Sequence, residues 1–137
     1  MTNDVTTLSA GVRERLGSEY VVWLTTVNAA GEPIPTPVWF VWVDDEVWIR
    51  SQPAGAKLEH VAANPHVALN LNADRTGGDV VVLNGTGSVE TVMSDAVWDA
   101  YVQKYADQIS GLGFTPDSFA ASYSVPLRVR VDRVRAW

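Results

Sequence analysis

Two cations and a hydroxyl within eight residues are the chain's best candidates for chemistry. Arg50 and Ser51 close the run Val47-Trp48-Ile49-Arg50-Ser51. Lys57 follows the loop Gln52-Pro53-Ala54-Gly55-Ala56, where a helical pattern begins. A cation in a first helical turn opposes the macrodipole and costs roughly 0.3–1 kcal/mol. A bound anion reverses that sign, because a helix start offers free N–H groups to phosphate. On this reading Arg50, Ser51 and Lys57 converge on one phosphoryl group. The plainer alternative is an arginine and a lysine solvated at an element boundary.

Other constellations are weaker. His60 and His66, the only histidines, lie six apart across a helix end, which is no metal-ligand spacing. Imidazole ligands normally come in sets, so these two read as surface or satisfied core groups. No Gly-x-Ser-x-Gly elbow is present. Gly85-Thr86-Gly87 lacks the third glycine of a dinucleotide fingerprint. Asp44-Asp45-Glu46 reads as a solvated acidic turn. No catalytic residue and no metal site is assigned, so the chemistry is expected to come from a cofactor.

The elements that must hold Arg50 and Lys57 follow from pattern. Ile34–Val43 and Val47–Ser51, rich in aromatic and β-branched residues around a polar turn, read as two paired strands. The first is apolar on both faces, which predicts burial on both sides, as in a barrel. Leu58, Val61 and Ala62 give the helix after Lys57 an inner face, and Asn64-Pro65 ends it. Upstream, residues 1–19 read as a disordered-looking tail and a short helix, capped by Ser9 and stopped at Gly17. Tyr20–Val27, His66–Asn72, Val80–Glu90 and Ser124–Ala136 supply four more strands. Asn84-Gly85 is read as a bulge in one long strand rather than a hairpin turn. Ser94 caps a helix whose stripe is Val97, Trp98, Tyr101, Val102, Tyr105 and Ile109, and Thr115-Pro116 opens a short one. Arg128 and Arg130 share the outer face of the last strand, where pairing with carboxylates on a neighbour is the expected use. Six strands that do not alternate with helices predict a mainly β, antiparallel barrel with flanking helices, residues 20–137 forming one domain.

Composition sets the bounds. The chain has 137 residues, sixteen acidic against ten basic, and a net charge of −6, which disfavours nucleic acid as a partner. The absence of cysteine excludes thiolate chemistry and suits a reducing cytoplasm. No apolar run approaches the roughly 20 residues of a membrane span, and no signal-peptide pattern opens the chain. Six tryptophans demand large flat surfaces to bury, in a core, at a subunit contact or against a planar ligand.

Taken together, Thr36-Pro37-Val38-Trp39-Phe40, Ile49-Arg50-Ser51-Gln52-Pro53, Ala56-Lys57-Leu58 and Asn64-Pro65-x-Val67-Ala68-Leu69 resemble the pyridoxamine 5′-phosphate oxidase-like split β-barrel family. Within it they are most similar to the flavin/deazaflavin oxidoreductase B branch of actinobacteria, as is Gly77-Gly78-Asp79-Val80-Val81 followed by Gly85-Thr86. The resemblance implies a six-stranded split barrel and a homodimer with cofactor sites at the subunit interface. It also implies hydride transfer between coenzyme F420 and an unidentified small organic acceptor. The backbone of Thr36, Pro37, Val38 and Trp39 would lie along the tricyclic ring, and Arg50, Ser51, Gln52 and Lys57, with Ala56 beside them, would hold the phosphate. Trp98 and Tyr101 are possible lining groups. FMN on the same fold is the nearest alternative, and a non-enzymatic carrier of either cofactor is the alternative of another class. The acidic tail of F420 would give Arg75 or the terminal arginines a partner.

Overall fold

The computed structural model describes residues 2–3 and 7–137 of the chain. The strands are β1 (Thr2–Asn3), β2 (Val22–Val27), β3 (Pro33–Val38), β4 (Val41–Val43), β5 (Glu46–Ser51), β6 (His66–Asn70), β7 (Val81–Val89) and β8 (Val125–Ala136). The helices are α1 (Ala10–Ser18), α2 (Ala56–Ala63), α3 (Asp95–Gly111) and α4 (Pro116–Ser122). The expected disordered tail is corrected at Thr2–Asn3, which pair with Arg135 and Val134, while its residues 1 and 4–6 lie outside the described residues.

All strand pairs are antiparallel, in the order β3-β2-β6-β7-β8-β5-β4, with β1 added on β8. β3 and β4 lie at opposite ends of that order, yet only Trp39 and Phe40 separate them in sequence. Laid flat, the two ends would stand about 28 Å apart at the usual strand spacing. Three Cα steps span at most about 11 Å. The sheet must therefore curl until its ends meet, which makes it a split barrel.

This corrects the expectation of one strand from Ile34 to Val43. Its first part pairs with β2, in register Val22↔Val38 to Val27↔Pro33. Its second part forms the hairpin with β5, Val41↔Trp48 to Val43↔Glu46. The split, together with β1, raises the strand count from six to eight. Two-sided burial fails as well: Ile34, Pro35 and Pro37 are exposed, and burial begins at Phe40 and Val41. The corner is pinned from α3. The Phe40 N–H donates to the Tyr105 hydroxyl oxygen at 2.8 Å, and that hydroxyl lies 2.7 Å from the Tyr20 carbonyl. Lys104 Nζ donates to the Phe40 carbonyl at 2.9 Å.

Elsewhere local chemistry explains the elements. Val97 N–H donates to the Ser94 cap at 3.2 Å, and Val97, Tyr101, Tyr105 and Ile109 of α3 are buried. Thr115 caps α4 with Pro116 in its first turn. Ser9 caps α1, but the helix runs past Gly17 and ends at Glu19. The α2 face is narrower than expected, with Leu58 and Val61 buried and Ala62 exposed. β7 is one long strand, and the register shifts between Asn84 and Gly85, leaving Asp132 of β8 unpaired. That extra residue turns Val134 rather than Arg133 inward, so the barrel interior stays apolar. Two cores result. One fills the barrel around Leu24, Phe40, Ile49, Leu69, Leu83 and Val129. The other lies between the outer face and α3–α4, around Tyr101, Tyr105 and Phe119.

Candidate functional site

Along β5, Val47, Ile49 and Ser51 turn into the barrel, so Trp48 and Arg50 face the helices. Arg50 reaches α4, where Nε donates to the Tyr123 carbonyl at 2.8 Å and Nη2 to the Ala120 carbonyl at 3.2 Å. Carbonyls at a helix C-terminus attract a cation. Its Cζ also lies 4.8 Å from the centroid of the Trp98 ring. Arg50 makes no ion pair with a carboxylate among the described residues. Burial lowers its pKa from the usual arginine value.

Lys57 is the second residue of α2, which starts from Gly55 without a side-chain cap. Among the described residues its amine makes no hydrogen bond and no ion pair, although it is half-buried. Burial holds its pKa below the ordinary lysine value. Gly55 is required here, because a Cβ on it would stand 2.6 Å from Ser51 Oγ and 3.2 Å from the Gln52 carbonyl oxygen. Ser51 is 1% exposed and donates to the Gln52 carbonyl at 2.9 Å.

These residues line one cleft of about 490 Å³ with Thr36, Pro37, Val38, Trp39, Gln52 and, from the helical side, Tyr101, Leu112, Phe119 and Tyr123. Of the residues expected from the sequence, all but Ala56 line it, and Trp98 lies beneath Arg50 instead. Val21, Gly55, Leu112, Phe119 and Tyr123 also line it and were not expected from the sequence. The lining contains two cations and no carboxylate, in a chain of net charge −6. Of its aromatic lining, Trp39 stacks on Phe119 at 5.7 Å and 18° and Phe119 on Tyr123 at 4.6 Å and 9°, with the buried Tyr105 stacked behind Trp39 at 4.7 Å and 4°. Burial, with Tyr105 nearby, pushes the Tyr101 phenol well above its ordinary range, so it stays protonated.

The strand edge in the cleft has a defined polarity. β3 carries Pro33, Pro35 and Pro37, which have no N–H, yet all six of its residues are laddered to β2. That is possible only if Ile34, Thr36 and Val38 turn their backbone groups toward β2. Every peptide among the described residues is trans. The Pro37 carbonyl and the Trp39 N–H, each antiparallel to a group of Val38, therefore point to the free edge. Neither makes a hydrogen bond among the described residues. The cleft edge thus offers an acceptor and, two residues on, a donor.

Other features lie elsewhere. Arg128 pairs with Glu46 on the neighbouring β5 at 2.7 Å, as expected, and with Arg130 borders a separate recess of about 150 Å³. Arg75 does not line the cleft either. His60 Nδ1 lies 2.8 Å from the Thr26 hydroxyl, and His66 is exposed.

The family described as pyridoxamine 5′-phosphate oxidase matches residues 8–137. The chain belongs to that family. Solved structures share the fold at low identity. A protein described as F420 reductase is 18% identical, with TM-score 0.71, covering 93% of this chain and 98% of its own. A FAD-binding protein from Mesorhizobium loti is 18% identical, with TM-score 0.69 and coverages of 98% and 93%. The heme storage protein HutZ from Vibrio cholerae is 17% identical, with TM-score 0.65 and coverages of 94% and 94%. A search of curated protein sequences found no match. No helix among the described residues is long and apolar enough to cross a membrane.

Proposed function

We propose that the chain is an oxidoreductase that binds coenzyme F420 in this cleft and transfers a hydride between it and a small organic acceptor. The observation that carries the reading is the pair of half-buried cations, Arg50 and Lys57, with no carboxylate among the cleft's lining residues. An uncompensated buried charge is costly unless a ligand of opposite sign completes the site. Lys57, with the free N–H groups at the start of α2 and the Ser51 hydroxyl, would hold the phosphate. Arg50, already engaged by α4, would supply charge and position the α4 end of the cleft. Gln52 and Ala56 remain part of the proposed set through the family resemblance.

Charge-assisted bonds contribute about 1.5–3 kcal/mol each. Micromolar binding needs roughly 8 kcal/mol after the costs of association. The rest has to come from burying a flat ring, and the aromatic lining of Trp39, Phe119 and Tyr123 offers apolar contact for it. The free Pro37 carbonyl and Trp39 N–H complement a heterocycle edge with adjacent donor and acceptor. When bound, the cofactor supplies the hydride chemistry. The protein orients the ring, excludes water from one face and balances the phosphate.

The phosphate end does not distinguish F420 from FMN, and the terminal arginines stand apart from the cleft. F420 is favoured by the sequence resemblance, with the F420 reductase among proteins of the same fold. A porphyrin has less support, since neither histidine lines the cleft to bind its iron. A homodimer with cofactor sites at its interface is part of the proposal. Leu112, 59% exposed at the cleft rim, and the exposed Ile34 are apolar surfaces that a second copy would cover.

Equilibrium titration with F420 and FMN side by side, read by tryptophan quenching, tests the reading. Micromolar binding of F420 with weaker FMN binding is expected. No binding of either cofactor at millimolar concentration refutes it. Turnover of reduced F420 with candidate acceptors then separates an enzyme from a carrier.

A further inference from the structure

The chain has two lysines, Lys57 and Lys104, and neither stands on the solvated surface where most lysines lie. Lys57 belongs to the cleft already described. Lys104, on α3, opens onto a second cleft of about 500 Å³ bounded by Gly17, Ser18, Tyr20, Trp42 and Gln103. Its Nζ sits 3.8 Å from the Phe40 ring centroid and 5.3 Å from that of Tyr105, and donates to the Phe40 carbonyl. No carboxylate ion-pairs with it among the described residues. Glu19 is the acidic group that faces it, and Arg15 holds that carboxylate.

The carbonyl and the rings favour an ammonium, but removal from water opposes it more strongly, and the pKa falls to about 8. Roughly a tenth of the molecules then carry a free amine at pH 7, against well under a hundredth for an ordinary lysine. An amine desolvated in an apolar pocket is an activated nucleophile.

We propose that Lys104 is a covalent modification site, its amine attacking the carbonyl carbon of a small electrophile that enters the second cleft. With an aldehyde, a C=N bond forms and the carbonyl oxygen leaves as water with two amine protons. With an acyl donor such as an acyl phosphate, a C–N bond forms, the C–O bond to phosphate breaks and one amine proton goes to solvent. Either adduct alters the Lys104 hold on Phe40, the residue after Trp39, so modification at the second cleft is felt at the first. The inference does not depend on which cofactor the first cleft takes.

The test is competitive labelling of the whole protein with acetyl phosphate, and separately with benzaldehyde plus cyanoborohydride, from pH 6 to 10. Sites are mapped by mass spectrometry against Nα-acetyl-lysine in the same tube. Lys104 is expected to label faster than the free lysine at pH 7.5, on the order of tenfold, with a rate that rises through a midpoint near 8. The faster of the two reagents names the electrophile class. Labelling of Lys104 no faster than free lysine, or only after unfolding in urea, overturns the proposal. Lys104→Arg should remove that adduct.

Discussion

Replacing Lys57 by methionine removes one charge and, among the described residues, no hydrogen bond or ion pair. The methionine stem fills similar volume. If the lysine meets a phosphate, one charge-assisted bond is lost, about 1.5–3 kcal/mol. That corresponds to roughly a 10- to 150-fold rise in Kd. The free protein should be no less stable, because a charge that burial disfavours has gone. The pH dependence has a defined sign. Burial depresses the Lys57 pKa in the free protein, while a bound anion favours the protonated form, so cofactor affinity should fall as pH rises through the free-state pKa. In Lys57→Met that alkaline loss should vanish. Isothermal titration of both proteins at pH 7 and pH 10, with urea melts of the free forms, gives the four affinities and the two stabilities. An unchanged Kd at pH 7 would refute the reasoning, as would a loss of affinity matched by an equal loss of stability.

Three further outcomes are expected. Gly55→Ala should weaken cofactor binding roughly tenfold in the same titration, because the new methyl would stand 2.6 Å from Ser51 Oγ and displace that hydroxyl. Tyr105→Phe leaves the buried Phe40 N–H without its 2.8 Å acceptor and should cost about 1–3 kcal/mol in urea denaturation. Lys104 titrates near 8 when folded and near its ordinary value when unfolded, so the unfolded chain holds the extra proton between those limits. Stability should therefore rise with pH across that window relative to Lys104→Met, read as a shift in urea midpoint.

Much of this architecture was legible locally. Ser9, Ser94 and Thr115 announce helix starts by their own hydroxyls, and the glycine of Asn84-Gly85 marks close backbone approach. A Cβ on Gly85 would stand 2.6 Å from the Arg130 carbonyl oxygen. The anion argument from Arg50 and Lys57 needed only a strand end and a helix start, and both residues line one cleft. The break at Trp39-Phe40 could not be read the same way. Neither residue is a turn former, and the corner exists because the sheet closes there and Tyr105, 65 residues away, satisfies it. The aromatic wall from α4 was missed for a related reason. Phe119 and Tyr123 acquire meaning only when Arg50 draws the carbonyl end of their helix to the strand.

The three alternating prolines of β3 have a consequence for how this protein survives at high concentration. A border strand normally invites a stranger to zip onto it and so seeds fibrils. Here the outward rim carries carbonyls at positions 33, 35 and 37 with no amide hydrogen between them, so an incoming strand finds no reciprocal partner along most of its length. A border that resists copying can stay uncovered, leaving room beside it for a small molecule.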